Sequence, residues 1–150
     1  MSQSLSPDHR HILRLEMAAE QACLVQLAMA IETLGEEEGW DPALCFQVDL
    51  VLEEIVQNVI SYGYPDGRPG QVVVSIECAD GLLRMRVEDD GHAFDPLGLP
   101  IPDLEASIAE RNIGGLGIHF ARTLTDTQNY RRVDGRNCIE LVKRLPDASL

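Results

Sequence analysis

The chain has 150 residues, of which 45% are hydrophobic and 25% charged, and its formal net charge is −13 at pH 7. This is the composition of an ordinary globular protein, and we expect residues 1–150 to form a single domain with residues 1–10 as a polar leader. The negative charge argues against nucleic acid as a direct partner, and the lack of a long apolar run or a signal peptide predicts a cytoplasmic protein with no membrane partner.

The first half of the chain predicts one strand and two helices. Residues His11–Met17 alternate apolar and polar side chains, which indicates a strand. Residues 20–38 are rich in Ala, Leu, Gln and Glu and predict an amphipathic helix. A second helix starts at Asp41-Pro42, which supplies a cap and a first-turn proline, and it runs to Tyr62 before the stop signal Gly63.

The second half of the chain predicts four strands, a third helix and a long connection. Asp80-Gly81 and Asp134-Gly135 are turn signals that each join two strands. The connection from Gly91 to Ile113 contains three prolines and a weak helical pattern at Asp103–Glu110. Segments of this length are usually functional lids or binding loops. The predicted strands are Gln71–Glu77, Leu82–Asp89, Thr127–Arg132 and Asn137–Lys143, and the predicted helix is Gly115–Leu124.

The cysteines and histidines do not suggest a metal centre. The four cysteines are widely spaced and form no C-x-x-C pair, so we expect buried free thiols. The four histidines have no metal-ligand spacing with these cysteines.

Glu54 and Asn58 lie four residues apart on the second predicted helix, so they project from one face. Asn58 offers an amide oxygen suited to Mg²⁺, a hard cation that prefers oxygen ligands. Glu54 can orient or deprotonate an attacking hydroxyl group. A solvated polar edge of a helix explains the same pair, so its meaning depends on the other motifs.

Asp89 ends a predicted strand on the same row as the apolar residues Leu83, Met85 and Val87. A carboxylate in that position is costly unless it accepts strong hydrogen bonds, and the exocyclic amine of a purine is a suitable donor. The alternative is that Asp89 begins a turn and accepts hydrogen bonds from nearby N–H groups.

Small residues occur directly after Asp89 and again near the start of the third predicted helix. Gly91 and Ala93 allow the backbone after Asp89 to pass close to a ligand. The segment Gly114-Gly115-Leu116-Gly117 precedes or begins a helix, where glycines and free N–H groups can bind phosphates. A flexible hinge would also use such glycines. Taken in this order, the three segments supply the parts needed to hold a nucleoside triphosphate.

The charged residues available to such a site are few. Lys143 is the only lysine and lies far from every glycine cluster. This excludes P-loop NTPases and eukaryotic-type kinases, because both need a lysine at the phosphates. Arg111, three residues before Gly114, is the candidate arginine for the phosphates, and its alternative role is an exposed lid residue.

The ordered motifs resemble those of a known family. The order Glu54…Asn58, Asp89-x-Gly91-x-Ala93 and Gly115-x-Gly117 resembles the N, G1 and G2 boxes of the GHKL ATPases, which share the Bergerat fold. Within that group, the segments 53–58, 90–96 and 114–118 are similar to the anti-sigma factor serine/threonine kinases of bacteria, the RsbW type. The resemblance covers about residues 10–145.

The resemblance implies a fold, cofactors and roles for the motif residues. The fold would be an α/β (α+β) two-layer sandwich, a mixed, mainly antiparallel sheet with helices on one face. The cofactors would be ATP or ADP and Mg²⁺, with Asn58 as metal ligand, Glu54 as catalytic base and Arg111 at the terminal phosphate. Asp89 would recognise adenine. The other cofactor-binding positions would be Gly91, Ala93, Gly114, Gly115, Leu116 and Gly117, where Ala93 departs from the glycine of the family's G1 box.

The function implied by the resemblance is that of an ATP-dependent serine kinase. It would phosphorylate a small anti-sigma-factor antagonist and control a sigma factor by partner switching, as a homodimer in the bacterial cytoplasm. One alternative is a non-catalytic ATP- or ADP-binding switch. Another is a detached catalytic domain of a sensor histidine kinase, which is disfavoured because His9 and His11 precede a strand pattern instead of lying on a dimerisation helix.

Overall fold

The computed structural model describes residues 9–98 and 113–146. Each predicted element in these ranges is present, with its ends within two residues of the predicted ones. The helical pattern at 103–110 and Arg111 lie outside the described residues. The elements are β1 (Arg10–Ala18), α1 (Ala22–Glu38), α2 (Pro42–Tyr62), β2 (Gln71–Ala79), β3 (Leu82–Asp89), a short 3-10 turn (Pro96–Gly98), α3 (Ile113–Leu124), β4 (Thr127–Val133) and β5 (Arg136–Arg144).

The strands form one five-stranded sheet in the order β1-β2-β3-β5-β4. The predicted α/β two-layer fold is confirmed. Where a mixed sheet was expected, every pairing between the described strands is antiparallel. The two hairpins explain much of this, because Asp80, Gly81, Asp134 and Gly135 all have positive φ angles between 52° and 76°. Two consecutive positive φ angles give the tight turn that suits the twist of antiparallel strands.

The helices cover one face of this sheet. Leu83, Met85 and Val87 of β3 are buried beneath them, whereas Arg84 and Arg86 face the other side and pair with Glu140 of β5. Helix α2 packs against both α1 and α3, and so lies in the middle of the helical layer. Within the described ranges, no helix is long and apolar enough to span a bilayer. The largest fully buried core side chains include Leu27, Ile31, Leu52, Ile55, Ile76 and Leu141.

The two ends of α2 are set by local chemistry. At the start, Asp41 accepts a hydrogen bond from the backbone N–H of Leu44 at 2.8 Å, and Pro42 is the first helical residue. At the end, Gly63 stops the helix as predicted, but its φ of −78° is not left-handed. Glycine is needed there for a different reason, since a Cβ would lie 2.6 Å from the carbonyl oxygen of Val59.

Candidate functional site

Asn58 and Glu54 lie one turn apart on α2, as the sequence predicts. Asn58 is only 1% exposed, so it does not belong to a solvated helix edge. Its Nδ2 atom is buried and has no hydrogen-bond partner among the described residues. Glu54 is half-buried, and this burial raises the pKa of its carboxyl group. A buried amide that lacks a partner is costly, so Asn58 is a candidate for contact with a ligand.

The donors on α2 fit Mg²⁺. A half-turn of the Asn58 amide exchanges its nitrogen and oxygen, so the position without a partner can equally hold an acceptor oxygen. An amide oxygen is a hard donor of the kind that Mg²⁺ prefers. Asn58 would therefore hold the ion, and the remaining positions would be left to water and phosphate oxygens.

Asp89 lies where strand periodicity predicts it, at the buried end of β3. Only 4% of its surface is exposed. Its Oδ1 atom accepts hydrogen bonds from the backbone N–H of Gly91 and from Asn137 Nδ2, both at 2.9 Å. The Oδ1 atom thus accepts a hydrogen bond from a nearby backbone N–H group, as expected if Asp89 begins a turn. The Oδ2 atom accepts no hydrogen bond from the described part of the chain. Burial raises the pKa of Asp89, and the two donors oppose that effect.

Asn137 holds the loop that follows Asp89. Its Nδ2 atom also donates to the carbonyl oxygen of His92 at 2.8 Å, and its Oδ1 atom accepts from the backbone N–H of Phe94 at 3.3 Å. These two bonds fix the backbone on both sides of Ala93. Ala93 and His92 are exposed.

Tyr130 and Arg132 of β4 support Asn137 from the neighbouring strand. The Tyr130 hydroxyl donates to Asn137 Oδ1 at 2.6 Å, and Arg132 Nη1 donates to the same oxygen at 3.0 Å. Arg132 Nη1 also lies 3.0 Å from the carbonyl oxygen of Gly91. Because the amide oxygen accepts these donors, the Asn137 nitrogen must point toward Asp89. The orientation of the whole network is therefore determined.

Gly91 joins the end of β3 to the end of α2. The backbone N–H of His92 donates to the carbonyl oxygen of Gly63 at 2.6 Å. A Cβ on Gly91 would lie 2.6 Å from that same oxygen and 3.0 Å from Asp89 Oδ1. No side chain fits in this space, so close contact with the backbone of Gly63 accounts for the glycine at position 91.

Asp90 has a different role from Asp89. Its Oδ1 atom accepts hydrogen bonds from the Tyr64 hydroxyl at 2.6 Å and from the backbone N–H of Gln71 at 3.0 Å. Arg68 donates to the carbonyl oxygen of Asp90 and stacks on the Tyr64 ring. The Tyr64 hydrogen bond in particular lowers the pKa of Asp90. Asp90 thus stabilises the loop between α2 and β2, whereas Asp89 is the buried carboxylate of this pair.

The glycine segment lies inside the first turns of α3 instead of before it. The described part of α3 starts at Ile113, so Gly114, Gly115, Leu116 and Gly117 are all helical. This helix packs against α2, the helix that carries Glu54 and Asn58.

Three residues of this network were not identified as site residues from the sequence. Asn137, Tyr130 and Arg132 meet Asp89 only because β5 pairs with β3 and β4 pairs with β5. An asparagine at the start of an apolar strand, directly after a tight turn, is a signal that could have drawn attention to Asn137.

Comparisons with known proteins identify a family for this chain. Residues 17–143 match the family model described as "Histidine kinase-like ATPase domain". The serine/threonine-protein kinase BtrW of Bordetella bronchiseptica is 24% identical over 127 residues, covering 85% of this chain and 89% of that protein. The structure of the RsbU and RsbW domains of Rv1364c from Mycobacterium tuberculosis aligns with a TM-score of 0.62 at 20% identity.

The structural alignment covers 89% of this chain but 32% of the M. tuberculosis chain, so it supports the fold and not the activity of that larger protein. The resemblance to the RsbW type that the ordered motifs indicate is confirmed by these matches. Since the family model spans most of the sequence, nucleotide binding is the property expected of the fold. The chain belongs to the histidine kinase-like ATPase domain family.

Proposed function

We propose that this protein is an ATP-dependent protein serine kinase that acts on a small anti-sigma-factor antagonist and thereby controls a sigma factor by partner switching. The observation that carries the proposal is the buried Asp89 carboxylate, which has one oxygen held by Gly91 and Asn137 and a second oxygen available to a ligand. The name of the Bordetella relative, a serine/threonine-protein kinase, supports the reaction class.

Asp89 is suited to recognise adenine. Its Oδ1 atom is committed to two protein donors, so a ligand N–H group would be accepted by Oδ2. The exocyclic amine of adenine presents such a donor, whereas the corresponding oxygen of guanine or hypoxanthine would face the carboxylate with a repulsive contact. Because Asp89 is buried, a mismatched contact there is expensive.

Glu54 and Asn58 are suited to act at the phosphate end of the nucleotide, where phosphoryl transfer takes place. Asn58 would hold Mg²⁺, which on binding neutralises phosphate charge. Glu54 would accept the proton of the attacking serine hydroxyl group, and the pKa raised by burial brings this carboxylate closer to the value that favours a general base near neutral pH. Phosphoryl transfer depends mainly on positioning and electrostatics, so few residues suffice.

The N-terminus of α3 and Arg111 would hold the phosphates. Helix α3 contributes backbone N–H groups from the segment 114–117, where glycines allow close approach. The lid arginine Arg111 would reach the terminal phosphate. With a single lysine in the chain, these groups and the ion must supply the positive potential.

Transfer of label from [γ-³²P]ATP to the cognate antagonist tests the proposal. Acid-stable label on a serine of the antagonist is expected from the wild-type protein with Mg²⁺. ATP binding without label on the antagonist would overturn the kinase assignment and favour the non-catalytic switch. Acid-labile label would instead indicate histidine phosphorylation.

A further inference from the structure

His9, His11 and Glu77 form a cluster on the open face of the sheet, away from the nucleotide site. His9 Nε2 lies 2.9 Å and His11 Nδ1 lies 3.5 Å from Glu77 Oε2. The three ligand atoms, two imidazole nitrogens and one carboxylate oxygen, all lie within 4.8 Å of one another. The two imidazole rings meet edge to face with centroids 5.1 Å apart.

A β-bulge in β1 brings these side chains together. His11 pairs with Glu77 of β2, but the next pair is Leu13 with Ile76, so Ile12 is an extra residue. Without the bulge, His11 would share a face with Leu13 and Met17, which point to the core, as the simple alternation of the sequence suggests. Bulges re-aim side chains in this way. Here the bulge turns His11 toward Glu77 on the open face.

The separations of the donor atoms are compatible with a metal site. In a tetrahedral zinc site with bonds of about 2.0–2.1 Å, two ligand atoms lie about 3.3 Å apart. The distances from Glu77 Oε2, 2.9 and 3.5 Å, lie on either side of that value. A lone ion pair would need only one histidine, whereas here two imidazoles converge on one carboxylate oxygen.

We propose that His9, His11 and Glu77 bind a divalent transition-metal ion, with Zn²⁺ as the best match to two imidazoles and one carboxylate. Imidazole suits zinc and related ions, while the Mg²⁺ used with ATP prefers oxygen ligands, so the two sites would not compete for the same ion. The described residues supply three ligands, which leaves one position of a tetrahedral ion for a small molecule.

The surroundings of the cluster favour water or an anion in that fourth position. A cavity of about 220 Å³ on the open face is lined by His11, Glu77, Arg14 and Arg84. Arg84 is paired with Glu140 and Arg14 with Glu16, so neither competes for the Glu77 carboxylate in an ion pair. The site would thus join β1 at the sheet edge to β2, with solvent access to the ion.

Calorimetric titration of Zn²⁺ into tag-free, metal-stripped protein in excess Mg²⁺ tests the proposal. We expect one equivalent to bind the wild type, and His11→Ala and Glu77→Gln each to weaken binding by at least about tenfold, since even indirect partners of metal ligands cost that much. His119→Ala, which removes a histidine of α3, should bind as the wild type does. No stoichiometric binding, or equal binding in all variants, would overturn the site.

A Co²⁺ spectrum distinguishes this site from binding by cysteine. The proposed ligands give a visible absorption band without thiolate-to-cobalt charge transfer, and circular dichroism verifies that the variants are folded. Strong charge-transfer absorption, retained in His11→Ala, would place the ion on thiols and overturn the assignment. ATP binding should be unchanged in His11→Ala, so failure of the metal site leaves the nucleotide proposal to its own test.

Discussion

Asn137 Nδ2 lies 2.9 Å from Asp89 Oδ1, and the two residues face each other in the register of β5 and β3. Both are buried. The asparagine satisfies one oxygen of the carboxylate and, through its other hydrogen bonds, fixes the loop around Ala93. The strand pairing therefore orients Asp89, the carboxylate proposed to recognise adenine, and positions the backbone beside it.

Replacement of Asn137 should weaken nucleotide binding. Asn137→Ala removes the donor to Asp89 and releases the loop at His92 and Phe94, so we expect ATP affinity to fall about 5- to 100-fold, the range for a lost buried hydrogen bond. Asn129→Ala, an exposed position on β4, is the control. Equal affinities of the two variants in calorimetry would show that Asn137 does not organise the site.

Replacement of Asn58 should separate stability from binding. In Asn58→Leu a side chain of similar shape removes the buried amide nitrogen that lacks a partner, and we expect the free energy of unfolding to rise by about 1 kcal/mol. The same change removes the candidate Mg²⁺ ligand, so the Mg²⁺-dependent part of ATP affinity should be lost. Urea denaturation and titrations with and without Mg²⁺ measure the two effects.

The neighbouring substitution Gln57→Leu provides the control for Asn58. Gln57 donates to Ser61 on the surface of α2 and has no role in the proposed site. A destabilised Asn58→Leu protein that still binds ATP with full Mg²⁺ dependence would contradict the assignment.

Loss of the Glu54 carboxylate should affect chemistry more than binding. Glu54→Gln keeps the shape but cannot accept a proton, so we expect the rate of label transfer to fall about 10²- to 10⁴-fold. ATP affinity should stay within about threefold of the wild type, because the base acts on the attacking hydroxyl group. Single-turnover transfer assays and calorimetry separate the two quantities. An unchanged transfer rate would remove Glu54 from the mechanism.

Glu53 should make stability depend on pH. Burial, and then the neighbouring Asp49 carboxyl group, raise the pKa of Glu53 from its ordinary value of 4.5 to about 7. Between these values the folded protein binds more protons than the unfolded chain, so stability should decrease as the pH rises from about 4.5 to about 7. The loss is complete above pH 7.

Urea denaturation of Glu53→Gln between pH 5 and pH 8 tests this. The variant should be more stable than the wild type at pH 8, by about 1 kcal/mol or less because the half-exposed group is screened by solvent, and the difference should shrink toward pH 5. Glu37→Gln, at an exposed position of α1, should show no such trend. A difference that stays constant with pH would exclude Glu53 as its source.

Local patterns predicted the parts of the site that depend on neighbours in sequence. The cap at Asp41, the hairpin turns and the burial of Asp89 all follow from residues a few positions apart, and the structure agrees. The pairing of Asp89 with Asn137, 48 residues later, depends on β5 lying beside β3, which no local pattern encodes. The bulge before Leu13 likewise reverses a period-two assignment that treats β1 as regular.

The most direct test of the account is calorimetric titration of ATP and ITP with Mg²⁺ into the wild type and Asp89→Asn. The wild type should bind ATP and discriminate strongly against ITP, which carries an oxygen in place of the exocyclic amine. In Asp89→Asn the ATP affinity should fall about 10- to 100-fold and the preference over ITP should collapse, since the new amide cannot accept from both sides. Asp66→Asn, in the exposed loop before β2, should behave as the wild type. Failure of the wild type to bind ATP, or an undiminished preference for ATP in Asp89→Asn, would contradict the assignment of this carboxylate to the purine.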